Sequence, residues 1–250
     1  MTVFRGGAQR IRNQLGSIRR GYLGPDLAEK RHDFGDGGDV VLLLHGFFQS
    51  RNIWDVMEDR LRQDGFRVMS FQTGGLWSRF DSHPIDSLAK KVAEKVERLR
   101  ERHNFGRVHV VCHSRGGLVA RQWVAAHGGE KRVRSVVTLG TPHHGTPTAL
   151  LAFPLVLVGV HPRTLRELLP WSSLLSALRH DSFPKHIPMT SIWSAEDVIC
   201  PWWCALLRPG PGDTHLSNVE LKGVGHSELV WHGRAYAAVL ERLRSEAGSG

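Results

Sequence analysis

Apolar residues in this chain follow two alternating patterns. Short apolar-rich runs at Val40–Leu44, Arg67–Phe71, Val108–Val111, Val133–Leu139 and Met189–Trp193 have the length and β-branched content of buried strands. Between them apolar positions recur three and four residues apart. Ile53, Trp54, Met57 and Leu61 predict one helix over 52–64, ended by Gly65, and Ile85–His103 predicts a longer amphipathic one. Asn218–Val224 reads as a last strand and Glu228–Arg244 as a closing helix. Such alternation predicts an α/β fold, a doubly wound and mostly parallel sheet with helices on both faces. Ligands bind such sheets beyond the carboxyl ends of the strands.

The rhythm is interrupted in three places. From Thr141 to Ile187 no strand is predicted, and Leu150–Val160, Leu165–Leu169 and Trp171–Leu178 are helical and apolar on more than one face. This predicts a helical lid at about residues 143–186, inserted over the strand ends, with Leu155, Leu157 and Leu168 lining a pocket. Thr73–Pro84 is irregular, and its Trp77 is a candidate pocket wall. Ahead of the domain at 39–250, the segment 1–38 carries Ile11, Leu15, Ile18 and Tyr22 at helical spacing among arginines. A basic amphipathic helix of this kind either lies on an anionic membrane surface or docks its apolar stripe on the domain. Vesicle binding by a chain lacking residues 1–24 separates the two.

Composition narrows the picture. A chain of 250 residues can bury one substantial core. The net charge of +9 raises nucleic acid as a partner, but no nucleic-acid motif is present and the arginines are scattered over helices, as on a solvated surface. No apolar run reaches the roughly 18 residues of a membrane span. The N-terminus lacks the apolar core of a secretory signal, and three cysteines without a framework fit a reducing, cytoplasmic compartment. Cys200 and Cys204 offer two ligands without a second pair. His143 and His144, adjacent on an extended chain, point to opposite sides, so no metal is expected.

The chemistry gathers at strand ends. Val108–Ala120 is a buried strand running into a helix with Ser114 at the join, too short for an ordinary loop. A turn that tight strains the corner residue, needs small neighbours such as Cys112 and Gly116, and lifts the hydroxyl clear of the sheet at the positive end of a helix. By itself the stretch also fits a plain helix cap. His45-Gly46-Phe47 follows the first strand and leaves backbone N–H groups above the sheet, as an oxyanion requires. An acid after Met189–Trp193 and His226 after the last strand complete the order serine, acid, histidine, in which a carboxylate holds the imidazole that activates the serine.

These residues, with Cys112-His113-Ser114-Arg115-Gly116-Gly117, Gly140-Thr141-Pro142-His143-His144-Gly145, Asp197-Val198-Ile199-Cys200-Pro201 and Val224-Gly225-His226-Ser227, resemble the α/β-hydrolase superfamily, and within it bacterial triacylglycerol lipases and esterases. The resemblance runs from about Val40 to the end. It implies Ser114 as nucleophile, Asp197 as acid, His226 as base, and the backbone N–H groups of Phe47 and Arg115 as oxyanion donors. It implies hydrolysis of a small-molecule or lipid-like carboxylic ester without a cofactor. Acyl transfer, or an idle fold used for binding, stays open beside it. Two departures are Cys112, where glycine is usual, and no clear hairpin before Val40, which suggests a sheet of about six strands.

Overall fold

The computed structural model describes residues 38–47, 49, 51–71, 83–158 and 161–247. The basic N-terminal helix and Trp77 lie outside these residues. Among the described residues six strands form one sheet: β1 (Val40–Leu44), β2 (Arg67–Phe71), β3 (Val108–His113), β4 (Val133–Leu139), β5 (Met189–Trp193) and β6 (Leu216–Glu220). They lie in the order β2-β1-β3-β4-β5-β6, and every pairing is parallel.

Parallel strands need crossovers, and the crossovers cover both faces of the sheet, so β1 is apolar at every position and β3 is buried along its whole length. In β1 the side chains alternate between two cores. Val40, Leu42 and Leu44 pack toward α2 (Ile85–His103) and α3 (Arg115–Ala126), with Leu88, Val92, Leu118 and Trp123. Val41 and Leu43 pack with Met57 and Leu61 of α1 (Asp55–Gln63) and with Val239 and Leu243 of the C-terminal helix, Gly233–Ala247. The sheet edge at β6 is the exception. Its residues are half-buried or exposed, so the apolar pattern that located the inner strands is missing, and the strand runs over 216–220 rather than 218–224. Leu221–Gly225 is then a connection, a one-turn 3₁₀ helix spans His226–Val230, and the last helix starts at Gly233 rather than Glu228.

The insertion consists of a 3₁₀ helix, Pro147–Val158, followed by the short helices α4 (Pro162–Arg166) and α5 (Ser173–His180). Pro154 lacks the N–H that an α-helix would need there. Ala149, Leu168, Leu169 and Leu175 join the core on the α3 face. Two polar ties fasten the insertion to the domain. Arg121 of α3, buried, donates to the carbonyls of His143 and Leu178. Glu167, also buried, accepts the Ile85 N–H at 2.8 Å and so caps the start of α2. A carboxylate at a helix N-terminus satisfies an orphan donor and complements the helix dipole. Glu167→Ala should cost about 1–2 kcal/mol, a fall of roughly 2–8 °C in melting temperature for a chain of this size. Glu167→Gln should cost less. A thermal melt unchanged in Glu167→Ala would show that water replaces the cap without loss.

Candidate active site

Ser114 stands at the join of β3 and α3 with φ 53° and ψ −127°, a conformation rare for a residue with a side chain. Its N–H donates to the Leu139 carbonyl at 2.9 Å, and its own carbonyl accepts the Thr141 hydroxyl at 2.8 Å and the Gly117 N–H at 3.1 Å. Room for the corner comes from glycines. A Cβ at Gly116 would lie 2.4 Å from the Leu44 carbonyl oxygen, and one at Gly46 would lie 2.8 Å from the Ser114 Cβ. Cys112 is different: its side chain is fully buried in the α3-side core, and burial pushes its thiol well above the ordinary range, so it is inert packing.

Asp197 and His226 arrive from the ends of β5 and β6. Asp197 is buried, and its Oδ1 accepts the N–H groups of Ile199 at 3.0 Å and Cys200 at 2.7 Å. Its Oδ2 lies 2.6 Å from His226 Nδ1. An ionised carboxylate only accepts, so Nδ1 carries the proton and Nε2 is left with a lone pair. Glu196, its exposed neighbour, instead bonds the Ser194 hydroxyl at 2.9 Å. The pair crosses over Gly140 (φ 56°), where a Cβ would lie 2.9 Å from Asp197 Oδ2 and 3.1 Å from His226 Nδ1. His113, the residue before Ser114, has its ring centroid 4.5 Å from that of His226. No hydrogen bond joins the Ser114 hydroxyl to His226 among the described residues. Such contacts often tighten only when substrate binds.

The remaining predicted residues are distributed as follows. Phe47 follows Gly46 at the end of β1, and the Arg115 guanidinium lies 5.3 Å from its ring centroid. Buried Arg115 also donates to the His83 carbonyl. Leu168 is buried in the core, whereas Leu157 is 90% exposed. The Leu155 side chain lies outside the description. His143 faces Thr138 and Arg121, and His144 turns the other way to the Leu206 carbonyl. Of two further residues at the site, Gln49 was not singled out in the sequence and Gly140 stood there only within its motif. Gln49 is buried and bonds Gly46 N–H and His113, and Gly140 leaves the space for the acid–base pair. A lone glutamine three residues after a turn glycine carries no pattern that would single it out.

Strand ends that collect a strained serine, a buried histidine–aspartate pair and backbone donors define a hydrolase-type fold with its site at the carboxyl edge of a parallel sheet. The chain belongs to the alpha/beta hydrolase fold family, whose model matches residues 39–186. Among solved structures, a lipase of Bacillus licheniformis superposes with a TM-score of 0.67 at 15% identity, covering 86% of this chain and 96% of that one. A thermophilic esterase of Thermogutta terrifontis gives 0.60 at 18% identity, covering 84% and 90%. A protein described as a putative non-heme bromoperoxidase of Mycobacterium tuberculosis gives 0.63 at 15%, covering 84% and 93%. At such identities the likeness shows the fold. No curated protein sequence matches the chain.

Three histidines at or near the sheet, His109, His113 and His143, are fully buried, and burial is the main cause that holds each imidazole below its ordinary pKa, His109 at about 4. Their folded pKa values are depressed, so the unfolded chain binds protons that the folded one refuses. The resulting stability is whole above about pH 6.5 and is lost as pH falls from there. Each contributes a slope of up to about 1.4 kcal/mol per pH unit. The urea midpoint should therefore drop steeply between pH 7 and about 5, and a midpoint that stays flat would show that these rings accept protons in place.

Proposed function

We propose that the protein is a serine hydrolase of carboxylic esters, acting on lipid-like acyl esters. The observation that carries the reading is the 2.6 Å pair between Asp197 and His226 beside a serine at φ 53°. In this reading His226 Nε2 takes the proton as Ser114 Oγ attacks the ester carbonyl, while Asp197 holds the tautomer and stabilises the imidazolium. The backbone N–H groups of Phe47 and Arg115 receive the oxyanion. Collapse releases the alcohol, and a water activated by His226 then hydrolyses the acyl-enzyme. The preference for an apolar acyl group is supported by exposed Val198 and Ile199, next to Asp197, and by Leu151, Trp202 and Trp203. Thr148 ties the Leu151 segment to this rim by donating to the Ile199 carbonyl at 2.6 Å.

Ser114→Ala should stay folded and lose ester turnover by several orders of magnitude, along with labelling by a fluorophosphonate. Asp197→Asn should lose far more rate than Glu196→Gln. Full turnover in a folded Ser114→Ala protein would sink the mechanism, and the reverse order of the two acids would reassign that role.

Each acyl methylene moved out of water contributes about 0.8 kcal/mol. On the lipid-like reading kcat/KM should rise a few-fold per carbon from acetyl toward octanoyl p-nitrophenyl esters. A maximum at acetyl would make the protein a small-ester hydrolase.

A further inference from the structure

On the ester-hydrolase reading, three groups on three separate loops must hold a common register: the Phe47 N–H after β1, Ser114 after β3 and His226 after β6. Backbone corner geometry fixes Ser114 alone. The loops after β1 and β6 lie on either side of it and are tied to each other through two buried polar side chains that the catalytic steps do not use.

Gln49 is 2% exposed, and its Oε1 accepts the Gly46 N–H at 2.8 Å. The same oxygen lies 2.9 Å from Nδ1 of His113, and His113 Nε2 lies 3.0 Å from the carbonyl oxygen of His226. The His113 ring is fully buried, and burial keeps it neutral with a single N–H, which goes to one of these two oxygens. Gly46 sits directly on the nucleophile, since a Cβ there would lie 2.8 Å from Ser114 Cβ and 3.0 Å from Gln49 Oε1. Holding the Gly46 amide therefore sets the plane of the peptides that lead into Phe47, whose N–H is the proposed oxyanion donor. The His113 ring, 3.0 Å from the His226 carbonyl oxygen and 4.5 Å from the His226 ring centroid, limits the base loop from the other side by packing.

We propose that Gln49 and His113 are positioning residues, a buried relay in which Gln49 holds the Gly46 amide by a hydrogen bond and the His113 ring, with one N–H for the two oxygens it faces, is wedged between Gln49 and the His226 carbonyl, keeping the oxyanion loop and the base loop at the nucleophile corner. A donor aimed at an oxyanion acts in the transition state and hardly at all in the ground state, so loss of the relay falls on kcat and spares KM. Deleting an oxyanion donor costs about 100- to 1000-fold. Misplacing one while leaving it present should cost roughly 10- to 100-fold.

The test uses the full chain with Gln49→Leu, Gln49→Glu, His113→Phe and the double variant Gln49→Leu/His113→Phe. Turnover of a soluble p-nitrophenyl ester is measured, together with fluorophosphonate labelling and exchange of the Gly46 amide by NMR. Gln49→Leu should lose about 10- to 100-fold in kcat with KM little changed, and Gly46 exchange should become fast. Gln49→Glu, which keeps an acceptor oxygen at the same reach, should recover most of the rate. Because the two side chains act through one path, the double variant should lose no more than the worse single variant. Unchanged kcat in Gln49→Leu, single losses that multiply in the double variant, or Gly46 exchange that stays slow would each overturn the relay. Should Gln49→Leu fail to fold, His113→Phe decides: a loss of roughly 10-fold or more in kcat with KM little changed supports the relay, and unchanged kcat opposes it. An unmodified protein with neither turnover nor labelling would instead remove the hydrolase reading, while labelling with unchanged kcat across the variants removes the relay alone.

Discussion

The backbone at Ser114 is the constraint on which the site depends. A residue with a side chain held at positive φ stores on the order of 1–3 kcal/mol, and it persists only where its surroundings over-determine it. Here they do. Leu139 accepts its N–H, Thr141 and Gly117 donate to its carbonyl, and Gly46 and Gly116 remove every Cβ that would press on the turn. The room is needed on the side of β1, where the Leu44 and His45 carbonyls approach Gly116 within 3 Å of a built Cβ. It is not needed at Cys112, whose side chain points into the core, and a small apolar residue therefore serves there as well as glycine.

Sheet order then dictates how the acid and the base reach the corner. β4 lies between β3 and β5, so a pair delivered from β5 and β6 must pass over the end of β4 to stand beside Ser114. The residue at that end is Gly140, in the left-handed region, and any side chain on it would collide with Asp197 Oδ2 and His226 Nδ1. One glycine thus serves two needs at once, a backbone turn out of the strand and an open floor under the carboxylate–imidazole pair. Asp197 is held by two backbone N–H groups of its own turn, which lowers the cost of burying its charge.

Much of this was legible in the sequence because strands covered on both faces read as apolar-rich runs; β1, β4 and β5, and also the edge strand β2, begin and end where those runs do. The long helix Ile85–His103 was equally clear, since one apolar stripe repeats along its whole length. β6 begins two residues and ends four residues before the expected strand, because its half-buried and exposed side chains carry no such run. The insertion was read as helical throughout, yet its first part is 3₁₀, with Pro154 inside it. The candidate triad stood out because each member follows a strand end in a recognisable motif. Gln49 and His113 did not, since their importance lies in contacts across 64 and 113 residues that no local pattern records.

The insertion shows how buried charge can set the position of an element. Arg121 has no carboxylate partner among its bonds; it gives its protons to the carbonyls of His143 and Leu178, and burial holds the guanidinium down to about 10. Leu178 lies in the last turn of α5, where the helix dipole presents partial negative charge, so that terminus does the work of a counterion. Glu167 is a buried carboxylate that meets the positive end of α2 with one oxygen and has the Arg163 guanidinium 3.4 Å from the other. The two helix ends match opposite charges and fix the base of the insertion in one place. Its outer side chains are held by nothing comparable. Leu151 and Leu157 stand in solvent at 82% and 90% exposure, on the segment that Thr148 fastens to the Ile199 carbonyl beside Asp197. Polar anchoring thus fixes the base of the insertion, while its outer segment presents apolar side chains to solvent.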